Sequence, residues 1–283
     1  MSRPLPANLE TLYGVMSPES AEQMYGGAST VIDGVEFVSG YAPDSTPDRF
    51  YIVKSPELVG MYQEFLAAVR PARVFELGIA EGGSVALLAL LPHVERLVAI
   101  DNEPNRLTAL DEFVARRGLE GSVSTYYGVD QADEATLRGL VAQDFDGGLV
   151  DLVIDDASHI YDLSVASFEA LFPLVAPGGW YVIEDWAQAF KIRTVRHMET
   201  GASGADGGAS QDRPDAGPGG ALSHPLTRLG LELTLAACIP FGEIDRVMVN
   251  HEFIAIRRGP APIEPTGFRL HDLTKGPAPG FLA

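Results

Sequence analysis

Two acidic pairs stand at the ends of separate apolar runs. Leu152-Val153-Ile154 leads into Asp155-Asp156-Ala157-Ser158-His159, and Trp180-Tyr181-Val182-Ile183 leads into Glu184-Asp185-Trp186. If the two runs are adjacent parallel strands, four carboxylates converge at one edge of a sheet. Left unneutralised in a partly desolvated cleft, they would repel one another severely. A hard divalent cation removes that penalty, and oxygen-only ligation suits Mg²⁺ best. Such an ion can bind a hydroxyl oxygen, lower its pKa and orient it. His159 follows Asp156 by three residues, close enough to take the released proton at neutral pH.

A second set of candidates lies upstream. Glu76-Leu77-Gly78-Ile79-Ala80-Glu81-Gly82-Gly83-Ser84 is a glycine-rich strand-to-helix turn, which would let a nucleotide-like ligand approach the backbone. As a dinucleotide fingerprint it has Ala80 where the second required glycine belongs. Read as an acidic residue followed by spaced small residues, it suits a cationic ligand instead: Glu76 could hold an ammonium group but would repel a pyrophosphate. Asp101 lies 25 residues beyond Glu76, where an acidic side chain can accept hydrogen bonds from both ribose hydroxyls. Asp130-Gln131 puts a carboxylate and an amide at a third strand mouth, suited to the edge of an adenine ring.

These residues need a scaffold of parallel strands. Short apolar runs predict strands at Arg73–Leu77, Leu97–Ile100, Val123–Tyr127, Val150–Ile154 and Trp180–Glu184. Amphipathic stretches at Ser84–Leu91, Glu103–Arg117, Glu134–Gln143 and Leu163–Leu174 predict the crossover helices, the last closed by Pro177-Gly178-Gly179. The alternation predicts an α/β fold, a Rossmann-like doubly wound sheet. Roughly Pro225–Cys238 reads as a further helix that buries the single cysteine, Cys238. DRVMVNHEFIAIRR reads as a C-terminal antiparallel hairpin turning at Asn250-His251, so the sheet is mostly parallel with one antiparallel end. The expected organisation is an irregular N-terminal extension over 1–50, a catalytic domain over 51–258 and a Pro-rich tail over 259–283. Residues 201–220 contain seven Gly and two Pro with no aliphatic larger than Ala, so 197–224 is expected to be a mobile loop.

Composition narrows the partners. The 283 residues carry 20 Lys+Arg against 39 Asp+Glu, a formal net charge of −19. That disfavours nucleic acid and anionic membrane surfaces, both of which select clustered basic residues. There is no apolar run of membrane-spanning length and no basic-then-apolar N-terminus, so a soluble cytoplasmic protein is expected. Much of the acidity falls at the predicted strand mouths and suits positively charged ligands. A homo-oligomer is compatible with the sequence.

In order and spacing, Glu76–Ser84, Asp101, Asp130–Gln131, Asp155–His159 and Glu184–Asp185 resemble the class I S-adenosylmethionine-dependent, metal-dependent O-methyltransferases of natural-product tailoring. The macrolide-sugar enzymes of the macrocin and mycinamicin type are the nearest in kind. The stretch IVKSPELVGMYQEFLAAVRPARVFELGIAEGGS is also similar to cephalosporin hydroxylase-type proteins. The resemblance covers roughly residues 50–190. It implies the class I methyltransferase fold, with S-adenosyl-L-methionine and Mg²⁺ as cofactors. It implies Asp156, Glu184 and Asp185 as metal ligands and His159 as the catalytic base. Glu76, Gly78, Gly82, Ser84, Asp101, Asp130, Gln131 and Asp155 form the implied cofactor site. The implied partner is a small-molecule hydroxyl acceptor, a sugar or a polyketide-derived compound. The alternative is a non-catalytic cofactor-binding protein, for which an imidazole beside a metal would serve no purpose. A nucleotide-dependent oxidoreductase is opposed by Ala80 and Glu76.

Overall fold

The computed structural model describes residues 27–40, 45–187, 225–240 and 242–274. Its centre is a seven-stranded sheet with helices on both faces. The strands are β4 (Arg73–Leu77), β5 (Arg96–Asp101), β6 (Val123–Tyr127), β7 (Val150–Asp155), β8 (Val175–Glu184), β9 (Ile244–Val249) and β10 (Phe253–Arg258). Their order is β6-β5-β4-β7-β8-β10-β9. The first five run parallel, and β10 and β9 pair antiparallel. β4 and β7 read as near-continuous apolar runs because helices cover both faces of the sheet.

The helices are α1 (Pro56–Val69), α2 (Gly83–Ala89), α3 (Thr108–Arg117), α4 (Glu134–Asp144), α5 (Tyr161–Leu171), α6 (Pro225–Ala236) and the short α7 (Leu270–Thr274). Leu58, Tyr62, Phe65, Val85 and Leu110 from α1, α2 and α3 help fill one core layer, together with Val74, Ala99 and Val182 of the sheet. Residues of α4, α5 and α6 fill the other against Phe75, Val153 and Tyr181. Alternation along each strand therefore decides which layer a side chain enters. Among the described residues no helix is long and apolar enough to cross a membrane.

The doubly wound sheet and its antiparallel end are present as expected, with several differences in detail. The N-terminal region is not irregular throughout. β1 (Ser29–Ile32), β2 (Val35–Ser39) and β3 (Arg49–Ile52) form a separate three-stranded sheet. β1 and β2 are joined by Asp33-Gly34, both at positive φ, the two-residue hairpin turn that such a dipeptide favours. The helix expected from Glu103 begins only at Thr108, because Asp101 and Glu103 turn back on the intervening backbone: Asp101 Oδ1 accepts from Glu103 N and Glu103 Oε1 from Asn105 N.

β8 is longer than expected. Its pairing with β7 jumps from Val150↔Val175 to Leu152↔Trp180, and Pro177-Gly178-Gly179 occupies the resulting bulge. Cys238 is exposed rather than buried. The inward stripe of α6 is Leu226, Leu229, Leu233 and Ala236, and Cys238 falls past its end and off that stripe. The Pro-rich tail contributes buried Phe268 and Leu270, the latter opening α7. The loop expected over 197–224 lies outside the described residues.

Candidate active site

β7 and β8 end side by side, with Asp155 paired to Ile183 in register. Just beyond these ends, Asp156, His159 and Asp185 bring two carboxylates and an imidazole nitrogen within 4.8 Å of one another. His159 Nε2 is 3.8 Å from Asp156 Oδ1 and 3.9 Å from Asp185 Oδ2. His159 and Asp185 both have left-handed backbones, with φ of 54° and 52°. Non-glycine residues hold that conformation at a cost, and surrounding structure must enforce it. Here Asp185 N donates to Glu252 O of the hairpin, while His159 sits at the sharp entry to α5. Two hard carboxylate donors in a partly exposed cleft fit a divalent cation, with the imidazole beside them.

Glu184, the third expected ligand, turns elsewhere. As the last residue of β8 it points into the layer under α1, where Lys54 Nζ donates to both of its oxygens at 2.7 Å and to Asp156 Oδ2 at 2.6 Å. The Tyr62 hydroxyl donates to Glu184 Oε1 at 2.8 Å. Burial pushes the Glu184 carboxyl up to about 7, and the neighbouring Asp156 adds to this while Lys54 and Tyr62 oppose it. Burial works to lower the pKa of Lys54, but Asp156 and Glu184 outweigh it and hold the ammonium protonated above its ordinary range. Lys54 and Tyr62 are the functional candidates that sequence reasoning missed. Ser55, which caps α1 by accepting from Leu58 N, fixes the segment that aims Lys54.

Asp155 departs from the expected convergence. In strand alternation it shares a face with Leu77 and Ile183, opposite to that of Glu76 and Glu184. It is buried, and it accepts from Ser167 Oγ at 2.8 Å, Tyr181 OH at 3.2 Å and Gln131 Nε2 at 3.4 Å. Burial raises its pKa to about 6 against the help of Ser167, His159 and Tyr181. Gln131 is buried with it and uses its Oε1 to accept from Ser158 N. Both residues brace the loop that carries Asp156 and His159. Asp130 is exposed and accepts from Ala132 N.

The glycine-rich turn follows β4. Gly78 has φ of +102°, and a Cβ on it would stand 2.2 Å from the carbonyl oxygen of Asp156, so glycine is what allows the turn to lie against the acidic loop. A Cβ on Gly83 would meet Tyr51 O at 2.3 Å, which lets β3 cross over α2 and deliver Lys54. Gly82 is likewise packed, against Leu107, and Ser84 is half-buried at the start of α2. Asp101 accepts from Ile79 N and Ala80 N at 2.9 and 3.0 Å, so it fixes this turn as well as marking the mouth of β5. Glu76 is fully buried, and neither of its carboxylate oxygens meets a donor in good hydrogen-bond geometry, Ser84 being only a loose neighbour. Burial pushes it up to about 8, with Lys54 and Ser84 offsetting only part of that cost. An unpartnered carboxyl beneath a glycine-rich turn fits a cationic ligand group.

Trp186 serves packing. Its Nε1 donates to Asn250 O at 2.9 Å, and its ring lies so close to Gly230 that a Cβ there would be 3.0 Å away. Trp180 is buried edge-on against Phe65.

Comparison with known proteins adds a decisive observation. Residues 49–189, from β3 to just past the acidic pair ending β8, match the family described as rhamnosyl O-methyltransferase/CmcI. Over that stretch the chain is similar to this family. Demethylmacrocin O-methyltransferase of Streptomyces fradiae is 48% identical over 125 residues, covering 42% of this chain and 28% of the relative. A tetracenomycin-C rhamnosyl 3'-O-methyltransferase of Streptomyces olivaceus is 34% identical over 139 residues, covering 46% of this chain and 32% of the relative. Among solved structures, the mycinamycin-pathway methyltransferase MycE, in complex with Mg, SAH and mycinamycin VI, matches with a TM-score of 0.50 and 25% identity. That match covers 71% of this chain and 49% of MycE. The matches thus span half or less of each of these proteins. The fold of this chain is the class I methyltransferase α/β sheet.

Proposed function

We propose that this chain is an S-adenosylmethionine-dependent, Mg²⁺-dependent O-methyltransferase acting on a sugar hydroxyl of a small-molecule natural product. The observation that carries the reading is the grouping of Asp156, Asp185 and His159 at the strand mouths of a domain similar to this family. Its relatives include enzymes named for methylating macrolide and rhamnosyl acceptors, and MycE was seen with Mg and SAH. In this reading the methyltransferase domain occupies 51–258, and a polyketide-derived hydroxyl is the other acceptor class to try.

The two cofactors would supply an electrophilic methyl group and a Lewis acid that eases deprotonation of a hydroxyl. The chain supplies the rest. Asp156 and Asp185 would hold the divalent ion, and the acceptor oxygen would bind in the same cleft. His159 Nε2, under 4 Å from both carboxylates, takes the proton from that oxygen. Glu76 and the turn over 78–84 would receive the cationic end of the methyl donor, and Asp101, which keeps the turn in shape, would be available to the ribose hydroxyls. A protein that merely bound the cofactor would have no use for an imidazole between two carboxylates.

The test is methyl transfer to demethylated glycosides followed by product mass. Binding of S-adenosylmethionine by calorimetry is expected, with transfer abolished by EDTA, restored by Mg²⁺ and lost in Asp156→Ala. Transfer that survives both chelation and the substitution would remove the metal from the reaction.

A further inference from the structure

The Lys54 ammonium has three protons and three close carboxylate acceptors, one on Asp156 and two on Glu184. With Tyr62 added, both oxygens of Glu184 are engaged, and the Tyr62 ring lies 5.6 Å from Nζ as a further cation contact. The side chains of Lys54 and Glu184 are only 7% and 3% exposed, so solvent contributes little to neutralising either. Asp156 is divided between two partners, with Oδ2 on Lys54 and Oδ1 toward His159.

We propose that Lys54 is a resident counter-cation of the acidic edge, and that a divalent ion held by Asp156 and Asp185 competes with it for Asp156. The proposal rests on the metal-site reading above. It follows from charge balance: buried carboxylates require a cation, and an ammonium hydrogen-bonded to Asp156, a residue of the candidate ion site, both satisfies them and repels a second positive charge. Lys54 thereby keeps the acidic edge assembled when no metal is bound and limits how tightly metal is held. It is a positioning residue, acting through Asp156 and Glu184.

The experiment measures Mn²⁺ affinity by calorimetry, with no substrate present, for the wild-type chain, Lys54→Arg, Lys54→Met and Lys54→Gln. Removing the charge should tighten Mn²⁺ binding about tenfold or more, since the repulsion acts at short range in a poorly solvated site. Lys54→Arg should stay near wild type. Thermal melts should show the neutral variants less stable than wild type without metal, and stabilised more by saturating Mn²⁺. Gln keeps an amide donor to Glu184, so it provides a folded neutral variant should Met fail. Unchanged or weaker Mn²⁺ binding in the folded neutral variant overturns the proposal. Absence of Mn²⁺ binding in the wild type would instead overturn the metal-site reading on which it stands.

Discussion

His159 Nε2 lies 3.8 Å from Asp156 Oδ1, and the chain between them passes through only Ala157 and Ser158. Ser158 N is held by Gln131 Oε1, and Gln131 is held in turn by Asp155. The imidazole is therefore presented by a loop anchored in the opposite core layer. That anchoring explains how a left-handed residue can be kept beside two carboxylates without collapsing onto either.

His159→Ala follows from this placement. The substitution removes the proton acceptor but leaves Asp156, Asp185 and the glycine-rich turn in place. Turnover should fall by about 10²- to 10⁴-fold, the usual range for a general base, while S-adenosylmethionine affinity changes little. Steady-state rates and calorimetry on the same preparation check this. Equal losses in both would assign His159 a structural role.

The strands that carry the site were legible because short runs rich in β-branched, aliphatic and aromatic residues alternate with amphipathic stretches, and Arg73–Leu77 and Val123–Tyr127 coincide with the observed elements. The acidic clusters were legible as strand-end features. Which layer each acid enters was not: Asp155 and Asp156 are neighbours in sequence, and only the pairing of Leu77 with Asp155 and Asp155 with Ile183 sends the first away from the second. Lys54 was hidden for a different reason. Its partner Glu184 is 130 residues away, and a lysine before a helix cap reads as a solvated charge until β3 is seen crossing α2 at Gly83. Asp33-Gly34 was the readable sign of the N-terminal hairpin.

Glu76 should make stability fall as pH rises. Its ordinary value of 4.5 is pushed up to about 8 by burial, with Asp156 and Glu184 adding to the shift and Lys54 and Ser84 opposing it. Between those two values the folded chain keeps a proton that the unfolded chain has lost. Stabilisation is thus complete below 4.5 and is lost progressively up to about 8. Glu76→Gln has no such proton to lose. Its unfolding free energy relative to wild type should grow from pH 5 to pH 8 by up to about 1.4 kcal/mol per pH unit. Urea unfolding of the metal-free proteins at three pH values checks it, and a pH-independent difference would mean that Glu76 is ionised throughout.

Ala80 offers the opposite kind of test, one of backbone strain. It stands where a glycine-rich fingerprint would have its second glycine, and its φ is +46°. A Cβ in that region costs about 1–2 kcal/mol, whereas glycine gives back roughly 0.5–1 kcal/mol through its freer unfolded state. Ala80 is exposed, so loss of its methyl group forfeits little packing. The turn itself is held by Asp101 through the N–H groups of Ile79 and Ala80, contacts that glycine retains. Ala80→Gly should therefore stabilise the chain by about 0.5–1 kcal/mol in denaturant unfolding and leave cofactor affinity near wild type. A destabilised variant would mean that the alanine methyl makes a contact worth more than the strain it causes, and would place that contact on the ligand side of the turn if affinity fell with it.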